Sequence, residues 1–133
     1  MAESFKSDGQ APGKTRGYFA IGAQGMSKPM NLGNLVRSAH AFGASFAFTV
    51  EAAHDLLKVG SNTSKSPLHL PVYHWQSLDE MALPQGCSLV GVELVDDAID
   101  LPSFRHPLQA AYMLGPERGA LSPELLESCD HVI

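Results

Sequence analysis

The stretch Met30-Asn31-Leu32-Gly33-Asn34-Leu35-Val36-Arg37-Ser38-Ala39-His40-Ala41-Phe42-Gly43 decides how this chain folds. Leu32, Leu35, Val36, Ala39 and Phe42 fall at i, i+3, i+4, i+7 and i+10, which lays apolar side chains along one stripe of an α-helix. Gly43 follows the last of them, where a glycine ends a helix most readily. A short apolar run, Tyr18-Phe19-Ala20-Ile21-Gly22, precedes the helix and reads as a strand, with a loop over Gly25–Pro29 between them. Phe46-Ala47-Phe48-Thr49-Val50 follows it, rich in the aromatic and β-branched residues that strands favour.

The alternation continues toward the C-terminus. Val72–Trp75 is a third strand candidate, and Ser77-Leu78-Asp79-Glu80 opens a short helix with Ser77 as candidate N-cap. After the turn Pro84-Gln85-Gly86, the run Ser88–Leu94 reads as a buried strand. The acidic turn Asp96-Asp97 and a connector over Ile99–His106 lead to a further strand, Ala110–Leu114. Ser122-Pro123-Glu124 starts a helix with the N-cap, first-turn proline and acidic residue that helix starts prefer, and it ends near Cys129. His131-Val132-Ile133 begins one more strand. Strands alternating with helices predict an α/β fold: an open, mainly parallel sheet covered by helices on both faces.

Composition narrows the class. The 133 residues are 44% apolar and 17% charged, an ordinary globular balance, which predicts one domain with one core. No apolar run reaches the roughly 18 residues of a membrane span, and the first residues lack a secretory signal's hydrophobic stretch, so a soluble, cytoplasmic protein is expected. Residues 1–17, with Lys6, Lys14 and Arg16 among glycine and proline, read as a flexible basic leader ahead of a domain over 18–133. Ser61–Ser66 is an expected exposed loop. The formal net charge is −5, but it is unevenly spread: residues 1–66 carry a balance of +3 and residues 67–133 a balance of −8. If the halves expose different faces, a polyanion prefers the first. Cys87 and Cys129 are too few for a disulfide framework and read as buried or half-buried thiols. The six histidines have no metal-ligand spacing, so no metal is expected. Neither GxGxxG nor GxxxxGK[ST] is present, which removes the common dinucleotide and P-loop readings.

Two segments carry chemistry. On the first helix, the apolar stripe leaves Asn31, Asn34, Arg37 and Ser38 together on the other side at spacings of three and four. Two carboxamides, a guanidinium and a hydroxyl suit a phosphate or a ribose; taken alone they read more readily as the solvated face of an amphipathic helix. The second segment is Leu114-Gly115-Pro116-Glu117-Arg118-Gly119-Ala120-Leu121-Ser122, at the C-terminal end of an apolar strand, where open α/β sheets bind ligands. Its glycines let a ligand approach the backbone, although a plain strand-turn-helix connection has the same composition.

Together, Asn31–Ala39 with Phe42-Gly43-Ala44, and Leu114–Ser122 about eighty residues on, resemble the first and second motifs of the TrmH-type branch of the SPOUT RNA methyltransferases. The resemblance runs from about Tyr18 to Ile133. It implies an enzyme that moves a methyl group from S-adenosylmethionine to a ribose 2′-hydroxyl of tRNA or rRNA. It also implies a homodimer and a knotted C-terminal half that holds the cofactor. By the match to the first motif, Arg37 takes the place of the family's essential arginine and Asn31 that of its asparagine. By the match to the second, Gly115 and Glu117 lie in the cofactor loop, and Leu94 is a further candidate for the cofactor wall. Asn34 and Ser38 would face the RNA, with Lys14 and Arg16 adding salt-sensitive contacts to phosphate.

One departure from the pattern qualifies this. The family's third motif, an Asn-containing loop and final helix, is absent; the chain ends at Ile133 where that stretch should begin. A fragment of a longer protein, without catalysis on its own, is therefore expected. A catalytically silent RNA-binding or dimerisation module of the same fold is the second reading, and an α/β domain for another nucleotide the third.

Overall fold

The structure is a computed structural model that describes residues 17–56 and 70–133. Six strands form one sheet: β1 (Tyr18–Gln24), β2 (Phe46–Val50), β3 (Val72–Trp75), β4 (Ser88–Gly91), β5 (Gln109–Leu114) and β6 (His131–Val132). Their order is β3-β2-β1-β5-β4-β6, and every pairing is parallel. Helix α1 (Pro29–Ala41) joins β1 to β2, and α2 (Pro123–Ser128) joins β5 to β6. The expected α/β architecture is therefore the observed one.

Alternation along the strands separates two cores. On one face Ala23 packs with Met26, Leu32, Leu35, Val36 and Leu56 beneath α1. On the other, Ala20, Phe46, Phe48, Val50, Leu89, Ala111 and Met113 meet Leu121 and Leu125, with Leu78, Met81 and Leu83 packed against them. Fully buried leucines and phenylalanines such as Leu32 and Phe48 each contribute about 1.5–3 kcal/mol of apolar burial. Thr49, fully buried on β2, satisfies its hydroxyl through His74 Nδ1 on β3 at 2.7 Å. Cys87 and Cys129 are half-buried, and burial pushes both thiols up in pKa.

The end of α1 follows the sequence closely. Gly43 has φ of +82°, its N–H donates to His40 O at 3.1 Å, and Ala44 N–H donates to Ala39 O at 2.8 Å. These two bonds form a Schellman motif, which satisfies carbonyls that the helix leaves open.

Some details differ from expectation. β1 runs two residues further, to Gln24, because Ala23 and Gln24 stay in register with Thr49 and Val50. β4 stops at Gly91 rather than Leu94: Val92 N–H still reaches Met113 O, but Glu93 turns to Ile133 O and Leu94 leaves the sheet. Ser77 is not a side-chain cap; Leu78–Glu80 is a single 3₁₀ turn, and Glu80 Oε1 accepts from Gln76 N–H at 3.3 Å. Residues 1–16 of the expected leader and the Ser61–Ser66 loop lie outside the described residues.

The switch in strand order falls between β1 and β5. Beyond that point β2 and β3 extend to one side and β4 and β6 to the other, which opens a crevice at the C-terminal strand ends. Ala23 pairs with Leu114 there, so the chain leaves β1 at Gly25 and β5 at Gly115 side by side.

Gly22 sits where any Cβ would enter the Phe48 ring. Gly22→Ala is expected to destabilise the fold by about 1–3 kcal/mol through overpacking. Urea unfolding checks this; an unchanged midpoint would show that β1 and β2 pack less closely than described.

Candidate functional site

The site is organised by an unmet need at the start of α1. Lys28 occupies the N-cap position with no side-chain cap, Pro29 follows, and the first turn holds no acidic residue. A helix start of this kind leaves backbone N–H groups open and a positive end of the helix dipole uncompensated. Glu117, from the loop after β5, supplies what is missing. Its carboxylate accepts from Ser27 N–H at 3.1 Å to either oxygen, from Lys28 N–H at 3.0 Å and from the Ser27 hydroxyl at 3.2 Å. Asn31 Nδ2 donates to the same carboxylate at 3.0 Å. Burial would raise the Glu117 pKa; the hydrogen bonds from Asn31 and from the backbone N–H groups of Glu117 itself, Lys28 and Ser27 outweigh that and hold it at about 2.

This joint brings the two chemistry-bearing segments to one cavity. Asn31, Asn34, Ser38, Gly115 and Glu117 line a space of about 370 Å³ whose apolar walls include Met26, Leu35 and Leu114. That size lies within the roughly 300–1,000 Å³ range of small-molecule sites. Gly25, at φ +71°, packs where its Cβ would stand 3.4 Å from Pro116 Cβ, so the two strand exits are in close contact.

Arg37 sits one turn along α1, exposed to solvent, and does not line the cavity itself. Its Nη2 donates to Asn34 Oδ1 at 2.5 Å, which orients the guanidinium along the helix face. Gly33 makes room for it: a Cβ there would lie 3.2 Å from Arg37 Nη1. Asn34 thus touches both the cavity and the guanidinium.

Leu94 is placed elsewhere. It is 99% exposed and lines a second cleft, about 480 Å³, with Glu93, Asp96, Ile99, Asp100 and Ile133 among its neighbours. Gly115 lies close to this cleft as well, since a Cβ on it would stand 3.7 Å from Glu93 Oε1. The loop after β5 therefore runs between the two clefts. Lys14 and Arg16 lie outside the described residues.

Two residues that the sequence did not single out hold this loop, Glu93 and Gln24. Glu93 Oε1 accepts from Leu121 N–H at 2.8 Å. Gln24, 4% exposed at the end of β1, accepts from Ser122 N–H through Oε1 at 2.9 Å and donates through Nε2 to Ser122 Oγ at 2.9 Å and to Glu51 Oε1 at 3.0 Å. Ser122 Oγ also accepts from Leu125 N–H at 3.2 Å, which makes Ser122 the expected N-cap of α2. The only hint in the sequence was a carboxamide at the end of an apolar run.

Residues 18–133 match the model of the SpoU rRNA Methylase family. Over 129 residues the chain is 26% identical to the mouse tRNA (guanosine(18)-2′-O)-methyltransferase TARBP1, a match covering 89% of this chain and 8% of that protein. Among solved structures it is similar to the AdoMet-bound rRNA methyltransferase of Sinorhizobium meliloti, with a TM-score of 0.71, 20% identity, and coverage of 89% of this chain and 47% of that one. It is also similar to the SpoU methyltransferase AviRb of Streptomyces viridochromogenes, with a TM-score of 0.72, 24% identity, and coverage of 90% and 51%. The chain thus spans about half the length of these structures and a small part of the mouse protein. With the family model matched across the whole described sheet, this chain belongs to the SpoU rRNA methylase family.

Proposed function

We propose that the protein transfers a methyl group from S-adenosylmethionine to a ribose 2′-hydroxyl of tRNA or rRNA. The observation that carries this reading is the Glu117 joint, which sets Asn31, Asn34 and Ser38 of α1 against the Gly115–Glu117 loop in one cavity. Family membership supports the reaction class, and the two clefts flanking the loop after β5 are read here as a donor side and an acceptor side.

The residues present fit the donor. Leu94, Ile99 and Leu101 are large apolar side chains left exposed in one cleft, as surfaces that receive a ligand often are. Glu93, Asp96 and Asp100 around them suit the positive charges and ribose hydroxyls of S-adenosylmethionine. These side chains, with Gly115, would hold it, while Glu117 fixes the loop between the two clefts; when bound, the donor supplies a methyl group made electrophilic by the sulfonium.

On the acceptor side, Asn34 and Ser38 offer a carboxamide and a hydroxyl to the sugar and its phosphate, and Arg37 a guanidinium held by Asn34. A guanidinium stays protonated near neutrality, so its work is to grip phosphate and stabilise charge developing on the attacking oxygen. Holding donor and acceptor in line lowers the barrier further. Lys14 and Arg16 add contacts to phosphate, which give affinity without sequence preference. A homodimer and a cytoplasmic setting complete the reading. The silent RNA-binding module is the outcome if RNA is retained in a gel shift while no methyl group is incorporated.

Two results follow. In the complete protein, Arg37→Ala is expected to cut methyl transfer by about 10²–10³-fold and to leave S-adenosylmethionine affinity near wild type; undiminished turnover would remove Arg37 from the mechanism. Glu117→Gln is expected to lower stability at neutral pH. Because the folded-state pKa lies at about 2, below the ordinary 4.5, the carboxylate's contribution is full above pH 4.5 and fades as pH falls toward 2. Unfolding curves of the two proteins should converge across that window, and a gap independent of pH would contradict the assignment.

A further inference from the structure

We infer that Gln24 is a positioning residue for methyl transfer, and that Glu51 sets the orientation of its carboxamide. The inference rests on the proposed function, and its own content is the placement of the loop after β5. That loop leaves the sheet at Leu114 and ends where Ser122 starts α2. Its first residues are fixed by the β1–β5 ladder. Its last residue is fixed by Gln24, which uses Oε1 for Ser122 N–H and Nε2 for Ser122 Oγ. Gly115 and Glu117 lie between these anchors, so the distance between the anchors sets where they face the two clefts.

A carboxamide can be turned over, and its polarity is what matters here. Nε2 has a second acceptor in Glu51 Oε1 at 3.0 Å, which an amide oxygen in that place would repel. Glu51 is the one non-glycine residue with positive φ, +59°, among the described residues, and it directly follows the last residue of β2. Strained backbone of this kind persists where the surroundings over-determine it and gathers at functional sites. Its amide is held by Trp75 O at 2.9 Å and its carboxylate by Gln24. The ends of β1 and β2 and the start of α2 are thereby tied through one side chain, which is 4% exposed and has its carboxamide oxygen and both amide hydrogens engaged.

The test is a charge swap in the complete protein. Gln24→Glu keeps the size of the side chain and can still accept from Ser122, but it faces the Glu51 carboxylate. Glu51→Gln removes the orienting charge from an exposed position, so it retains the fold. The double variant, Gln24→Glu with Glu51→Gln, replaces two facing carboxylates by a carboxylate and a carboxamide, so that position 51 donates to position 24 and the Ser122 hydroxyl can donate to the same carboxylate. Gln24→Glu is expected to raise KM for S-adenosylmethionine by about ten-fold, the effect of one charge-assisted hydrogen bond. KM for RNA should stay near wild type, and the double variant should return the cofactor KM most of the way.

Wild-type KM in Gln24→Glu, or a double variant worse than either single, would overturn the proposal. Backbone amide NMR shifts of Gly115, Glu117 and Gly119 are read on the same proteins. If the wild type transfers no methyl group, the functional reading fails by itself. Shifts that move in Gln24→Glu and return in the double variant would then still establish the positioning, and unmoved shifts would refute it.

Discussion

One carboxylate placed at the start of a helix that has no cap of its own makes this molecule's site a single object. Helix α1 begins Lys28-Pro29-Met30 and brings no acidic side chain to its own N-terminus. Glu117 reaches it from a loop some 90 residues away in the chain and binds two backbone N–H groups, a hydroxyl and the Asn31 carboxamide. A carboxylate accepting several such bonds is strongly held in its charged form, and the helix dipole favours it further. It adds a direct polar tie between the helix bearing Asn34, Arg37 and Ser38 and the loop bearing Gly115, which the β1–β5 ladder already brings side by side.

The sheet makes that reach short. Parallel strands in the order β3-β2-β1-β5-β4-β6 bring the exits of β1 and β5 together, and the chain leaving them enters helix α1 on one side and the Gly115–Ser122 loop on the other. Further polar side chains hold the second loop from both flanks: Glu93 from beyond β4, Gln24 from the end of β1. Each accepts one backbone N–H at the start of α2, Glu93 from Leu121 and Gln24 from Ser122. Polar groups at strand ends thus perform here the work that apolar contacts perform in the middle of the sheet.

Much of this was legible in the sequence, and the exceptions share a cause. The helical stripe from Leu32 to Ala39, the strand at Phe46–Val50, the Ser122 cap and the glycine stop at Gly43 are local patterns and are present, whereas Phe42, expected to end the stripe, is the C-cap residue and 79% exposed. So is the grouping of Asn31, Asn34 and Ser38, which needs only helical spacing. The end of β4 was misjudged because Val92-Glu93-Leu94 keeps a strand-like composition while Glu93 is drawn toward Leu121. Gln24 was overlooked because its partners stand 27 and 98 residues away, and Glu51 because a non-glycine residue gives no warning of a left-handed turn. Helical spacing puts Arg37 on the same face as Asn34, but their contact, and the place of Arg37 beside the cavity rather than in it, depend on side-chain packing that spacing does not carry.

The most direct test of this account is a double-mutant cycle on stability, pairing Asn31→Ala with Glu117→Gln under denaturant at neutral pH. If the carboxylate joins the two segments through that carboxamide, the two losses should be non-additive by about 0.5 kcal/mol or more, as contacting residues are. Losses that simply add, within about 0.3 kcal/mol, would mean that Glu117 and Asn31 act apart and that the site is assembled some other way.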